Sequence, residues 1–219
     1  VKNQGIILGL LAACCFAIMN VIVKIKATTL DPALVTFARG AVGTLVFLPS
    51  AKKEVLHLVK KSGLLLWCRF LAGSFSIFAM FYNVQLSGAA AGTALAKTEA
   101  IFVIILSIVV CKTFPNHTEW GGIGLILFGV YVLYAPMIVH MECSFLLVGI
   151  AGAFVGGIAL IALKKVSSLF SPFFIVWGLC LGSLIVALAV PSSKPWEIAH
   201  PMDFLILCIL GGLGGVGQL

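Results

Sequence analysis

The sequence predicts an all-α membrane protein: a polytopic bundle of about eight transmembrane helices, in which one five-helix repeat is followed by an incomplete inverted second repeat. Three observations carry this expectation. The 219 residues are 62% hydrophobic and only 10% charged, with a mean hydropathy of +1.21. That is more apolar surface than one aqueous core buries, so lipid must cover much of it. Apolar runs of spanning length recur along the chain, and the pattern of its first segments returns near the end. Backbone groups in hydrocarbon must be satisfied internally, and long uninterrupted apolar runs satisfy them as helices rather than as the alternating strands of a barrel.

The expected spans are Gly5–Val23, Pro32–Pro49, Gly63–Leu86, Ala89–Cys111, Trp120–Val139, Ser144–Leu163, Ser171–Pro191 and Met202–Leu219. The first imitates a secretory signal, and Leu11-Ala12-Ala13-Cys14 imitates a lipoprotein processing box. The apolar run continues past Cys14 to Val23, however, which is longer than a usual signal core, so it reads as a spanning helix. The connections, among them KIKATTLD, SAKKEVLHLVKKS, KTFPNHTE, HMEC, KKVSSLF and SSKPWEIAH, are too short to hold a soluble domain.

A formal net charge of +7 would point to nucleic acid in a soluble protein; here it reads as orientation. With a cytoplasmic N-terminus, that side holds Lys2, Lys52, Lys53, Lys60, Lys61, Arg69, Lys112, Lys164 and Lys165, against Lys24, Lys26 and Lys194 opposite. Lys24 and Lys26 either snorkel from the first helix or line an outer vestibule. The seven cysteines have no C-x-x-C spacing and the four histidines no i, i+4 pairing, so neither a disulfide framework nor a metal site is expected, and no cofactor. The small-residue pairs Gly5/Gly9, Gly92/Ala96, Gly152/Gly156 and Gly211/Gly215 predict close helix contacts, with a homodimer face as the alternative use.

Within the fourth span, Lys97, Thr98 and Glu99 fall near mid-membrane. An ionisable group there costs at least about 2.5–3.5 kcal/mol, so it faces protein or a wet cavity. Lys97 and Glu99 are two positions apart, about 200° around a helix, and each is expected to find its partner elsewhere. Arg39, about 10 Å into the second helix, reaches a comparable depth, which predicts an Arg39–Glu99 encounter. It reads either as a structural ion pair or as a site in which Arg39 or Lys97 holds an anionic group and Glu99 a cationic group or a coupling proton. Tyr82 and Asn83, with Gln85, extend a polar vestibule or anchor the interface. Trp67, Trp120 and Trp196 read as belt residues, whereas the deeper Trp177 walls a cavity or packs between helices.

Lys24, Pro32, Gly9 and Ala13 recur as Lys164, Pro172, Gly149 and Ala153, all 140 residues on. Five helices separate the two copies, and an odd number inverts the second in the membrane, as in many transporters. The division expected is residues 1–139 and 140–219, the second holding about three helices. With Asp31-Pro32-Ala33 and Phe37-Ala38-Arg39, the helix at 89–107, and Gly121-Gly122-Ile123-Gly124 with Gly129-Val130, the chain resembles the EamA-like branch of the drug/metabolite transporter superfamily. The resemblance implies ten helices in two five-helix repeats. It also implies a secondary transporter of small organic metabolites, working by alternating access in the cell membrane. Two departures stand out. Glu99-Ala100 lacks the proline of the family's fourth helix, which predicts an unkinked helix, and the chain ends at Leu219 where an eighth helix would begin, so a fragment is expected, poorly stable and inactive alone.

An intramembrane enzyme would need a nucleophile with a base, or paired metal ligands, at membrane depth, and no such constellation occurs. Mid-membrane charges of both signs suit a zwitterionic or mixed-charge metabolite such as an amino acid derivative. The alternatives are an S-adenosylmethionine-type importer of the same family and a truncated component that does not transport.

Overall fold

The computed structural model describes residues 2–26, 28–55, 63–112, 114, 116–134, 143–192, 196 and 201–218. Lys60, Lys61, Lys194, His57, His140, His200 and the 135–139 end of the fifth expected span lie outside the described residues, as do the side chains of Lys2, Lys52, Lys53, Cys111 and Cys143.

The described elements are α1 (Lys2–Ile25), α2 (Pro32–Val55), α3 (Gly63–Ser87), α4 (Ala89–Lys97), α5 (Glu99–Cys111), α6 (His117–Tyr134), α7 (Cys143–Val166), α8 (Pro172–Ala189) and α9 (Pro201–Val216). Six stretches are long and apolar enough to cross a membrane: Ile7–Ile25, Pro32–Pro49, Gly63–Ser87, Ala89–Val110, Phe145–Val166 and Pro172–Ala189. The other two expected spans are α6 and the shorter apolar helix Pro201–Gly215 within α9. Large apolar side chains such as Leu45, Val109, Leu125 and Leu188 point outward, as they must where lipid replaces water.

Local chemistry sets the helix starts. Proline has no N–H to leave unsatisfied in a first turn, and a short polar side chain before it accepts from a free backbone N–H. Asp31 Oδ1 accepts from Ala33 N at 2.7 Å ahead of α2, and Ser171 Oγ from Phe174 N at 3.3 Å ahead of α8. The two starts are 140 positions apart.

The contact registers fix the helix directions. Along α2, Ala33 lies in one cluster with Val186, Gly40 and Gly43 meet Cys180, and Phe47 reaches Phe173 at 6.5 Å, so α2 and α8 are antiparallel. α3 runs parallel to α8, with Phe70 beside Phe174 at 6.3 Å and Phe78 beside Val186. α9 runs along α2, placing Gly211 on Val42 and Gly215 on Phe47. α7 is antiparallel to α3, with Gly149 on Asn83, Gly152 on Ala79 and Gly156 on Ser76. Gly92, Gly152, Gly156, Gly211 and Gly215 therefore serve contacts within the chain, letting backbones approach where a Cβ would clash, whereas Gly9 meets nothing within 4 Å among the described residues.

The fourth span departs from the continuous, unkinked helix expected from its lack of proline. It is interrupted at Thr98, which separates α4 from α5. The Thr98 hydroxyl donates to Leu95 O at 2.6 Å, Thr98 N also bonds Leu95 O, and Ile101 N bonds Thr98 O, so the turn tightens to i, i+3. A side chain competing for a helix carbonyl bends a helix without any proline.

Candidate functional site

α1, α3, α4, α5, α7 and α8 enclose a cavity of about 630 Å³, in the size range of small-molecule sites. Its walls are mainly apolar, from Phe16, Ile77, Met80 and Leu160 among others, and its charged lining residues are Arg69, Lys97 and Glu99. Asn20, Ser76, Thr93 and Gln218 add polar groups. A few polar groups in an apolar cavity fix orientation while the walls contribute contact area.

The break at Thr98 positions two of these charges. Lys97 ends α4 and Glu99 begins α5, and both line the cavity. Two positions apart, they form no ion pair within 4.0 Å among the described residues, yet both side chains reach the cavity. Glycines then make room for the charges. A Cβ at Gly156 would stand 2.6 Å from Ser76 Oγ and 2.8 Å from Glu99 Oε2, so the bare backbone of α7 lets the carboxylate sit between α5 and α3. A Cβ at Gly73 would stand 2.6 Å from both Arg69 Nη1 and Leu179 Cδ1, so Gly73 gives the guanidinium its space on α3. Arg69 and Glu99 are near enough for their charges to act on each other.

The expected Arg39–Glu99 encounter is absent: among the described residues the ion pair within 4.0 Å is Lys26–Asp203, at 2.9 Å. Arg39 is buried between α2 and α9, outside the cavity lining. Its stem occupies the space beside Gly214, and Nη2 donates to Gly214 O at a long 3.4 Å, while Nε and Nη1 have no partner among the described residues. The guanidinium that lines the cavity with Glu99 is that of Arg69, which the charge count places on the cytoplasmic side. Arg69 falls six residues inside α3, where an arginine within an apolar run is itself the signal of a site. Asn20, buried and without a partner for Oδ1 among the described residues, is another lining residue that sequence reasoning passed over, as are Ser76, Thr93 and Gln218.

The other expected residues lie off the cavity. Tyr82 is half-buried, its ring 6.4 Å from that of Phe78. Asn83 is buried, with its side-chain amide nitrogen against Gly149 and its backbone carbonyl accepting from Ser87 Oγ at 2.8 Å, so it belongs to the α3–α7 contact. Trp177 stacks on Phe174 at 5.8 Å and packs with Phe47, Val176 and Cys180. Lys24 and Lys26 are held by protein, Lys24 Nζ donating to Gln85 O at 2.8 Å and Lys26 pairing with Asp203.

Known proteins resemble the chain along its length. A model of the EamA-like transporter family matches residues 3–135. The pseudopaline exporter CntI of Pseudomonas aeruginosa strain UCBPP-PA14 is 24% identical over 218 residues, covering 99% of this chain and 76% of the relative. A protein of Helicobacter pylori strain J99 named as an uncharacterized transporter is 26% identical over 223 residues, covering 98% and 75%. A protein of known crystal structure, 15% identical, superposes over 99% of this chain and 77% of its own with a TM-score of 0.72, which places both in one fold.

Proposed function

We propose, because the chain belongs to the EamA-like transporter family, that this multi-pass membrane protein is a secondary transporter moving a small mixed-charge organic metabolite across the cell membrane by alternating access. The observation that carries the substrate reading is the convergence of Arg69, Lys97 and Glu99 on one largely apolar cavity. Charges of both signs at membrane depth are costly unless they meet a ligand or each other. Arg69 and Lys97 take acidic groups, Glu99 an ammonium group or a coupling proton, and the apolar walls the rest of the molecule. The division into residues 1–139 and 140–219 supplies the two moving halves, since inverted repeats rock about a site near the midplane. Relatives named as pseudopaline exporters favour efflux as the direction.

Flux of labelled amino acid derivatives in proteoliposomes tests this reading, with each variant normalised to folded protein. The full-length protein is expected to transport; in it Glu99→Gln loses at least tenfold. Gly156→Ala, which pushes a methyl group against the carboxylate, loses a similar amount, while Gly124→Ala, with nothing within 4 Å, is unchanged. Equal flux in Glu99→Gln and wild type removes Glu99 from the site. No flux in any of them leaves the component that does not transport.

A further inference from the structure

The charges on the cavity wall do not balance. Among the described residues, two cations, Arg69 and Lys97, stand against one carboxylate, Glu99. A third cation, Arg39, lies behind the wall, close enough for its charge to act on Arg69, and no carboxylate within 4.0 Å neutralises it among the described residues. Unused donors accompany the excess charge: Arg69 Nε, Arg39 Nε and Arg39 Nη1 have no hydrogen-bond partner among the described residues. Buried guanidinium groups are ordinarily paired and fully hydrogen-bonded.

The poles are also ordered in space. Arg69 Nη1 lies at the level of Gly73 and Glu99 Oε2 at the level of Ser76. Three residues of α3 separate these levels, about 4.5 Å of helix rise, so the cation and the carboxylate stand at successive levels of the wall. Lys97 is exposed in the described structure and opens a second positive position on the same wall.

We propose that the cavity takes an amino acid derivative of net negative charge, with its ammonium group at Glu99 and its two acidic groups at Arg69 and Lys97. The inference rests on the transporter reading of this cavity. A neutral zwitterion satisfies Glu99 and one cation and leaves the other unmatched when water is excluded, whereas one amine with two acids matches all three. S-adenosylmethionine, with a sulfonium besides its ammonium, carries the opposite excess.

The test compares three dipeptides of similar shape in proteoliposomes: aspartyl-phenylalanine (net negative), asparaginyl-phenylalanine (neutral) and lysyl-phenylalanine (net positive). Aspartyl-phenylalanine is expected to move at least tenfold faster than either of the others. Arg69→Gln should reduce its advantage over asparaginyl-phenylalanine to less than twofold. Arg69→Lys, which keeps the charge and guards against a folding failure in the first variant, should hold the advantage above fivefold. Faster movement of the neutral or cationic dipeptide overturns the charge inference and leaves the transport reading standing. Movement of none of the three overturns the transport reading for amino acid derivatives, and the charge inference with it.

Discussion

At the scale of single residues, Arg39 and Leu179 occupy positions 140 apart and have different surroundings. Leu179 lines the cavity, and its carbonyl accepts from Ser74 Oγ at 2.8 Å; Arg39 lies buried against Gly214, itself 140 positions from Ser74. One interface is thus closed by a hydroxyl on a carbonyl, and the other by a long side chain over a glycine. A buried guanidinium with a single long hydrogen bond contributes little net stability, because its desolvation is not offset by a carboxylate. Arg39→Leu, which installs the side chain found at the equivalent position, is therefore expected to leave the melting temperature in detergent unchanged or raised. A clear fall would show that Arg39 has an anionic partner within the fold. The arginines also mark the limit of sequence reasoning at this scale. Mid-membrane charge was legible at Arg39, Lys97 and Glu99, but which guanidinium lines the cavity with the carboxylate depends on helix rotation and on Gly73 and Gly156, which no linear spacing reports.

At the scale of elements, spans and directions were legible because twenty-residue apolar runs have one stable form in lipid. The interruption at Thr98 was not, because no proline marks it: a threonine hydroxyl donates to the Leu95 carbonyl instead. Helix ends hold a second arrangement that composition conceals. Lys26, just past α1, pairs with Asp203 in the first turn of α9, while Lys24 Nζ and Gln85 Nε2 bond the carbonyls of Gln85 and Leu30. These contacts tie the ends of α1, α3 and α9 together at one end of the bundle. Burial is unequal in the ion pair, 28% exposure for the lysine side chain against 4% for the aspartate. Lys26→Ala strands a buried carboxylate and should cost up to about 3 kcal/mol, whereas Asp203→Ala leaves a cation that can turn to water and should cost less. Thermal melts of the two single variants and the double variant check this. A double variant more stable than Lys26→Ala alone is expected, and equal losses in the two single variants would overturn the asymmetry.

At the scale of the whole molecule, contacts come in couples that a two-fold axis across the helices would generate. Gly156 against Ser76 corresponds, within one residue and an offset of 140, to Phe16 against Gly217, and Ser74 with Leu179 corresponds to Gly214 with Arg39. α2 and α8, equivalent in this scheme, cross antiparallel where Gly40 meets Cys180, again 140 apart. The registers of α2, α3, α7, α8 and α9 make consecutive spans alternate in direction, so the end holding the start of α1 also holds Lys112 after α5 and Lys164 and Lys165 at the end of α7. All three are exposed, whereas at the opposite end Lys24 and Lys26 are engaged by protein. Withdrawing Arg69 from the charge count to the cavity leaves that asymmetry in place, and positive residues on short loops stay in the cytoplasm. The N-terminus is therefore expected inside. In a background without native cysteines, an impermeant thiol reagent applied to intact cells should label Thr28→Cys at once and Lys165→Cys only after lysis. The reverse pattern would invert the molecule in the membrane and set the end tied by Lys26 and Asp203 toward the cytoplasm.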